Sequence, residues 1–302
     1  MSSADKEPII NENKALQDYY HTLESRIGYR LVLGGTRHFG YYPAGSWWPF
    51  PIGKALRAME DHLIDNLALE KGSEVLDAGC GVGHVSIHLA ERGYQIQAID
   101  VVEHHIVKAR RNIRARGLEG KVTVNKNDYH HLDAFADGSF DGVFTMETFV
   151  HATEPEVAAA EFFRVLRPGG SLALYEYDHP DFSTQSEEAS NSWKTINKYA
   201  AMPANDRFAT GVLEGILEDA GFEDVVVRDL SDNVMPTLRL FYLLAFIPYM
   251  IISFLGLKTR FVNTVAGYEG YVYRDSARYI AVSARKPLDK AEAESSEGKK
   301  VR

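Results

Sequence analysis

From Glu74 onward, short apolar runs rich in Val, Ile, Phe and Tyr alternate with longer segments whose apolar residues recur at helical spacing. That alternation predicts a parallel sheet covered by helices on both faces. Seven runs read as strands: EVLDA (74–78), YQIQAID (94–100), KVTVNK (121–126), FDGVFTM (140–146), SLALYEY (171–177), FEDVVVRDL (222–230) and RYIAVSAR (278–285). In KARRNIRAR (108–116) the basic residues lie over a stripe of Val102, Ile106, Ala109 and Ile113, so the run reads as a solvated helix face. Thr153 and Glu156 read as a capping box for the helix that ends at LRPGG. Val212, Leu213, Ile216 and Leu217 mark the apolar face of another helix, stopped at Gly221.

Two regions break the alternation. Residues 18–70 form an aromatic-rich helical lead-in, and the polar insertion 181–206 is too long for a simple connection and is expected to carry a lid. No repeat or Pro/Gly/Ser linker divides the middle, so one domain is expected over 18–286. Its core spans 71–180, an apolar insertion spans 236–260, and polar tails occupy 1–17 and 287–302.

Within the apolar insertion, Leu240–Leu257 carries no charge, with Arg239 before it and Lys258 and Arg260 after it. As a helix it would measure roughly 27 Å, close to the ~30 Å core of a bilayer. Crossing is nevertheless excluded if strands six and seven, on either side of it, share one sheet. Pro248 is expected to break the stretch into two short segments, giving a bent apolar hairpin. One face would pack on the core, and the other would wall an apolar pocket and touch a membrane interface. The alternative is a purely buried packing element.

Composition narrows the function. The chain has 302 residues, 45% of them apolar, and a net charge of -9, which argues against a nucleic-acid backbone as partner. Cys80 is the only cysteine, so no intrachain disulfide forms and a reducing, cytoplasmic setting is expected. MSSADKEPIINENKALQ lacks the apolar centre of a secretory signal.

Chemistry concentrates at the strand ends. In VLDAGCGVGH, Gly79, Gly81 and Gly83 let the chain turn sharply and bring backbone N–H groups against a ligand. The spacing G-x-G-x-G lacks the third glycine of the dinucleotide fingerprint G-x-G-x-x-G. Asp100, ending the second strand, stands where a carboxylate accepts both hydroxyls of an adenosine ribose. Asp128 follows the third strand, where an adenine amino group needs an acceptor, and Asp77 precedes the glycines, placed to hold the turn or an ammonium group.

These residues, with FDGVFTMETFVHA and RVLRPGGSLALYEY, resemble the class I S-adenosylmethionine-dependent methyltransferases over residues 70–180. The resemblance implies an α/β fold with a doubly wound, mostly parallel seven-stranded sheet, a helical lead-in and an apolar insertion before the last strand. It also implies S-adenosylmethionine as cofactor, with Cys80, Val101, Tyr129 and Met146 joining the glycines and the three acids around it. GGSLALYEY, DLSDN (229–233) and an aromatic lead-in with YY (19–20) and RHFGYY (37–42) are similar to the sterol C-methyltransferase relatives and fungal natural-product methyltransferases. There the N-terminal segment folds over the cofactor, which makes Tyr20, His38, Phe39 and Tyr41 lid candidates. ETFVHA departs from the sterol pattern, which weakens the case for a sterol acceptor.

Methyl transfer from a sulfonium is an in-line displacement, and only a hydroxyl or amine acceptor requires a base. His151, past the fourth strand, is the candidate base; its alternative role is to bond backbone near Thr153. Glu147 on the same rim is placed to contact cofactor or acceptor. The pairs His104/His105 and His130/His131 have no third ligand at regular spacing, so no metal is expected. The reading is transfer of a methyl group to oxygen or nitrogen of a lipophilic small molecule. The alternatives are carbon methylation of a sterol or other isoprenoid, with Glu147 steadying a carbocation, and a non-catalytic cofactor-binding protein.

Overall fold

The computed structural model describes residues 10, 13–22, 24 and 32–288. Most of the expected tails, 1–9, 11–12 and 289–302, lies outside them. The strands are β1 (Glu74–Ala78), β2 (Gln95–Asp100), β3 (Val122–Lys126), β4 (Phe140–Met146), β5 (Leu166–Asp178), β6 (Glu223–Asp229) and β7 (Arg278–Arg285). The described helices are α1 (Lys14–His21), α2 (Ile52–Leu67), α3 (His84–Arg92), α4 (Glu103–Arg114), α5 (Pro155–Val165), α6 (Glu187–Tyr199), α7 (Val212–Asp219), α8 (Ser231–Phe254) and α9 (Val262–Val272).

The strands form one sheet in the order β3-β2-β1-β4-β5-β7-β6. Strands β1 to β5 pair in parallel, and β7 runs antiparallel between β5 and β6. The order reverses between β1 and β4, which is where open α/β sheets bind ligands. Strands β1, β4 and β5 are apolar and almost wholly buried, whereas the edge strands β3 and β6 are substantially exposed. One sheet face is covered by Met59, Leu63, Ile87, Ile106 and Ile113 from α2, α3 and α4, the other by Phe162, Val165, Leu213 and Leu217 from α5 and α7.

Two local expectations fail. The helix after β4 begins at Pro155, with Glu154 as N-cap and no side-chain cap bond, so Thr153 and Glu156 do not form a capping box. Proline at N1 is already preset for helix and has no N–H there to satisfy. The apolar stretch is not split at Pro248: α8 is continuous over 24 residues, with Pro236 and Pro248 inside it. Pro248 removes a single backbone donor, and α9 packs tightly alongside. A Cβ on Gly267 of α9 would stand 3.3 Å from Ala245 Cβ and 3.4 Å from the Phe241 carbonyl oxygen. The hairpin therefore forms between α8 and α9. Because β6 and β7 pair residue by residue, from Val226 with Ser283 to Asp229 with Ile280, a single crossing of a bilayer between them is excluded.

Candidate active site

After β1 the chain turns through Gly79, Gly81 and Gly83, with φ of 113°, 54° and 82°. A Cβ on Gly79 would stand 2.5 Å from Thr148 Oγ1 and one on Gly83 3.2 Å from Ala109 Cβ, so these two glycines permit close packing. A Cβ on Gly81 would meet nothing within 4 Å. It would project into open space where Gly81 borders a cavity shared with Asp77, Cys80, Asp100, Met146 and Glu147.

Asp100 anchors this cavity. Its Oδ2 accepts the Gly81 N–H and its Oδ1 the Val102 N–H, both at 2.8 Å. Burial pushes this carboxyl up, but His105, with Nδ1 3.3 Å from Oδ2, and the two amides outweigh burial and hold it below the usual range. A carboxylate has about four acceptor positions, so both oxygens retain capacity for the hydroxyls of a ribose. Asp77 accepts from Ser86 Oγ and is pushed up to about 7, first by burial and then by the nearby Asp100 charge against that hydrogen bond. An ammonium group beside it would return it to the ionised form.

A second cavity continues from the first through Tyr20, Gly79, Asp100, Thr148 and His151, and is walled by Ile99, Val101, Val102, Asn127, Asp128 and Tyr129. Asp128 is held by His130, whose N–H donates to Oδ1 at 2.9 Å and whose Nδ1 lies 2.6 Å from it. Apolar walls with a fixed carboxylate suit adenine. Together the two cavities suit S-adenosylmethionine, for which Asp128, Asp100 and Asp77 are the carboxylates that would hold adenine, ribose and amino-acid end. His105 and His130 thus support the two acids, and among the described residues no three His, Cys, Asp or Glu side chains gather into a metal site.

Helix α1 brings Tyr20 over the cofactor cavities. Its hydroxyl lies 3.0 Å from His151 Nε2, and His151 Nδ1 lies 2.7 Å from the Ala201 carbonyl. A carbonyl only accepts, so Nδ1 carries the proton and Nε2 accepts from Tyr20. Burial pushes His151 down to about 4. Both ring nitrogens are engaged, and no contact to Thr153 forms in place of the Ala201 bond.

Glu147, with φ of 57°, follows β4 in the left-handed region. Its carboxylate accepts Phe39 N–H at 2.8 Å, Tyr177 OH at 2.5 Å and Tyr279 OH at 3.0 Å. Burial raises its pKa, partly offset by the Tyr177 bond. Tyr177 lines the cofactor cavity and two apolar cavities, so these spaces meet beside Glu147. The larger, of roughly 300 Å³, is walled by Leu33, Phe39, Leu238, Phe241, Leu244, Ala245 and Pro248. Of the lead-in candidates, His38 and Phe39 border this space, whereas Tyr41 stacks on His62 and lines none of these cavities. Sequence reasoning missed Thr148, Tyr177 and Tyr279; the last two face each other only because β7 runs antiparallel to β5, pairing Tyr177 with Tyr279.

The profile of the methyltransferase domain matches residues 76–174. An S-adenosyl-L-methionine-dependent Diels-Alderase of Talaromyces variabilis, iccD, is 43% identical over 91% of this chain and 95% of its own length. The chain belongs to the S-adenosylmethionine-dependent methyltransferase family. A second member, the S-adenosyl-L-methionine-dependent Diels-Alderase iliD of a Neonectria species, is 43% identical over 73% of this chain and 87% of its own. Among solved structures of this family's fold, the [4+2]-cyclase SpnF superposes with a TM-score of 0.70 at 24% identity, over 93% of this chain and 98% of its own. The cofactor of this methyltransferase-family chain is S-adenosylmethionine, in keeping with the fit of the two cavities that meet at Asp100.

Proposed function

We propose that this chain binds S-adenosylmethionine and promotes an intramolecular [4+2] cycloaddition of a lipophilic linear polyene, without transferring the methyl group. The observation that carries the reading is His151: the candidate base has both ring nitrogens engaged, one with Tyr20 and one with the Ala201 carbonyl, and so offers neither to an acceptor proton. Methylation of a hydroxyl or amine needs such a base, whereas a cycloaddition converts three π bonds into two σ bonds and one π bond and moves no proton. Two relatives named Diels-Alderases at 43% identity support the same choice.

The remaining requirement is shape. An apolar cavity walled by Phe39, Phe241 and Leu238 suits a flexible polyene that must be folded until diene and alkene touch. Bound in the cavities at Asp100 and Asp77, S-adenosylmethionine would supply a sulfonium cation able to favour negative charge building up on a conjugated carbonyl. Glu147 holds the hydroxyls of Tyr177 and Tyr279 in place where the polar and apolar spaces meet, and so sets the shape of the junction.

Methyl transfer to carbon is the second reading, supported by the match to the methyltransferase domain and by a chemistry that does not require His151 as base. Mass spectrometry of a producing host with and without the chain separates the two. A cycloaddition converts a linear precursor into an isomer of identical mass, with loss of conjugated-diene absorbance and no S-adenosylhomocysteine. A product heavier by one methylene unit, with one equivalent of S-adenosylhomocysteine, would overturn the cycloaddition.

A further inference from the structure

Helix α8 is apolar on two opposite sides. Phe241, Ala245 and Pro248 face the cavity, while Leu243, Ile247, Met250 and Phe254 recur at spacings of four, three and four on the solvent side. The exposure is unusual for such residues: Ile247 is 68% and Phe254 91% accessible. The two arcs meet at Leu244, which both lines the cavity and is half-exposed, so the cavity's rim lies beside the apolar stripe.

Near the start of the stripe stands the loop SWWPF (46–50), in which Trp47 and Trp48 are 68% and 66% exposed. Arg239 ties this loop to α8: its guanidinium lies 3.8 Å from the Trp47 ring centre and donates to the Trp47 carbonyl at 2.7 Å. Beyond the other end stand Arg260 and Lys258, the latter paired with Glu269 at 2.9 Å. No acidic residue occurs in 39–59 or in 233–260. Arg57 pairs with Glu60 and Lys258 with Glu269, so the positive charge at the two ends of the stripe comes from Arg239 and Arg260.

We propose that this face seats the protein on an anionic lipid surface, with α8 lying in the plane of the interface. The tryptophans and cations would sit at headgroup level, and the rim at Leu244 would open toward the lipid, so that a lipophilic substrate enters from it. Tryptophans beside an apolar stripe with cations at its ends are what an interfacial helix presents to a membrane. A second copy of this chain is a poorer occupant. A two-fold axis through the stripe would set cationic ends against cationic ends, with no acid on the stripe to meet them.

The test is flotation of the purified full-length protein with vesicles of phosphatidylcholine alone or with phosphatidylserine added. The protein is expected to rise with the serine-containing vesicles, less so in high salt, and its tryptophan emission to shift to the blue. Ile247→Glu with Phe254→Glu, neither of which lines the cavity, should cut vesicle partition by about tenfold or more. Trp47→Ser with Trp48→Ser should weaken it separately, and circular dichroism checks that both variants fold. Absence of co-flotation with either vesicle would overturn the proposal. So would flotation that survives both variants, or a wild-type dimer that Ile247→Glu with Phe254→Glu converts to monomer.

Discussion

Tyr20 and His151, 131 positions apart, meet at 3.0 Å between the phenolic oxygen and Nε2, and Ala201 closes the other ring nitrogen at 2.7 Å. The contact puts helix α1 over the cofactor cavities and occupies the histidine that would otherwise serve as base. If His151 performs no proton transfer, His151→Gln keeps turnover within about threefold of wild type, whereas loss of a general base costs on the order of 10² to 10⁴. Turnover at saturating substrate checks this, and a loss of the larger size would restore heteroatom methylation.

The same buried ring makes stability depend on pH. Burial holds His151 at about 4 against the ordinary 6.5. Over that window the unfolded chain binds the proton and the folded chain does not, so the contribution is full above pH 6.5 and is lost as pH falls toward 4. His151→Gln removes this dependence. The stability gap between wild type and variant should narrow by on the order of 3 kcal/mol from neutral to about pH 4, measured by urea unfolding. Parallel pH profiles would show that His151 titrates normally.

S-adenosylmethionine at about a hundred times its Kd should stabilise the fold by about 2.7 kcal/mol, seen as a higher Tm. Gly81→Val places a side chain in the open space beside Asp100, and Asp100→Ala removes the ribose acceptor, so each should abolish most of the shift. A full shift in both variants would move the cofactor elsewhere.

Gly79→Ala sets a Cβ 2.5 Å from Thr148 Oγ1. It should cost on the order of 1–3 kcal/mol by overpacking. Thr148→Ala in the same chain should recover part of that loss, because the clash is with the threonine side chain. Additive losses in a double-mutant cycle would place the cost in backbone strain alone.

Glu147→Gln replaces one acceptor oxygen with a donor facing Phe39 N–H, Tyr279 OH or Tyr177 OH. One donor is left unsatisfied, at roughly 1–3 kcal/mol. Thermal unfolding should fall by several degrees, and an unchanged Tm would mean that the amide finds another arrangement.

By itself the sequence determined the layered architecture and put Gly81, Asp100 and Asp128 at strand ends that border the two connected cavities. Strand runs such as EVLDA and FDGVFTM match β1 and β4 residue for residue, because a parallel strand covered on both faces is mostly apolar along its length. Gly81, Asp100 and Asp128 were legible because each stands at a strand end, where chain order alone puts it on the ligand-binding rim. Features made by long-range contact were not legible. The antiparallel insertion of β7 sets Tyr279 across from Tyr177 and on Glu147; the Gly267 contact keeps α8 whole through Pro248; and the α1 packing puts Tyr20 on His151. Each depends on which segments touch across dozens to more than a hundred residues. Local periodicity and propensity report only a segment's own preference, so only the tertiary structure decided that His151 is closed and that the apolar helix keeps one face in the open.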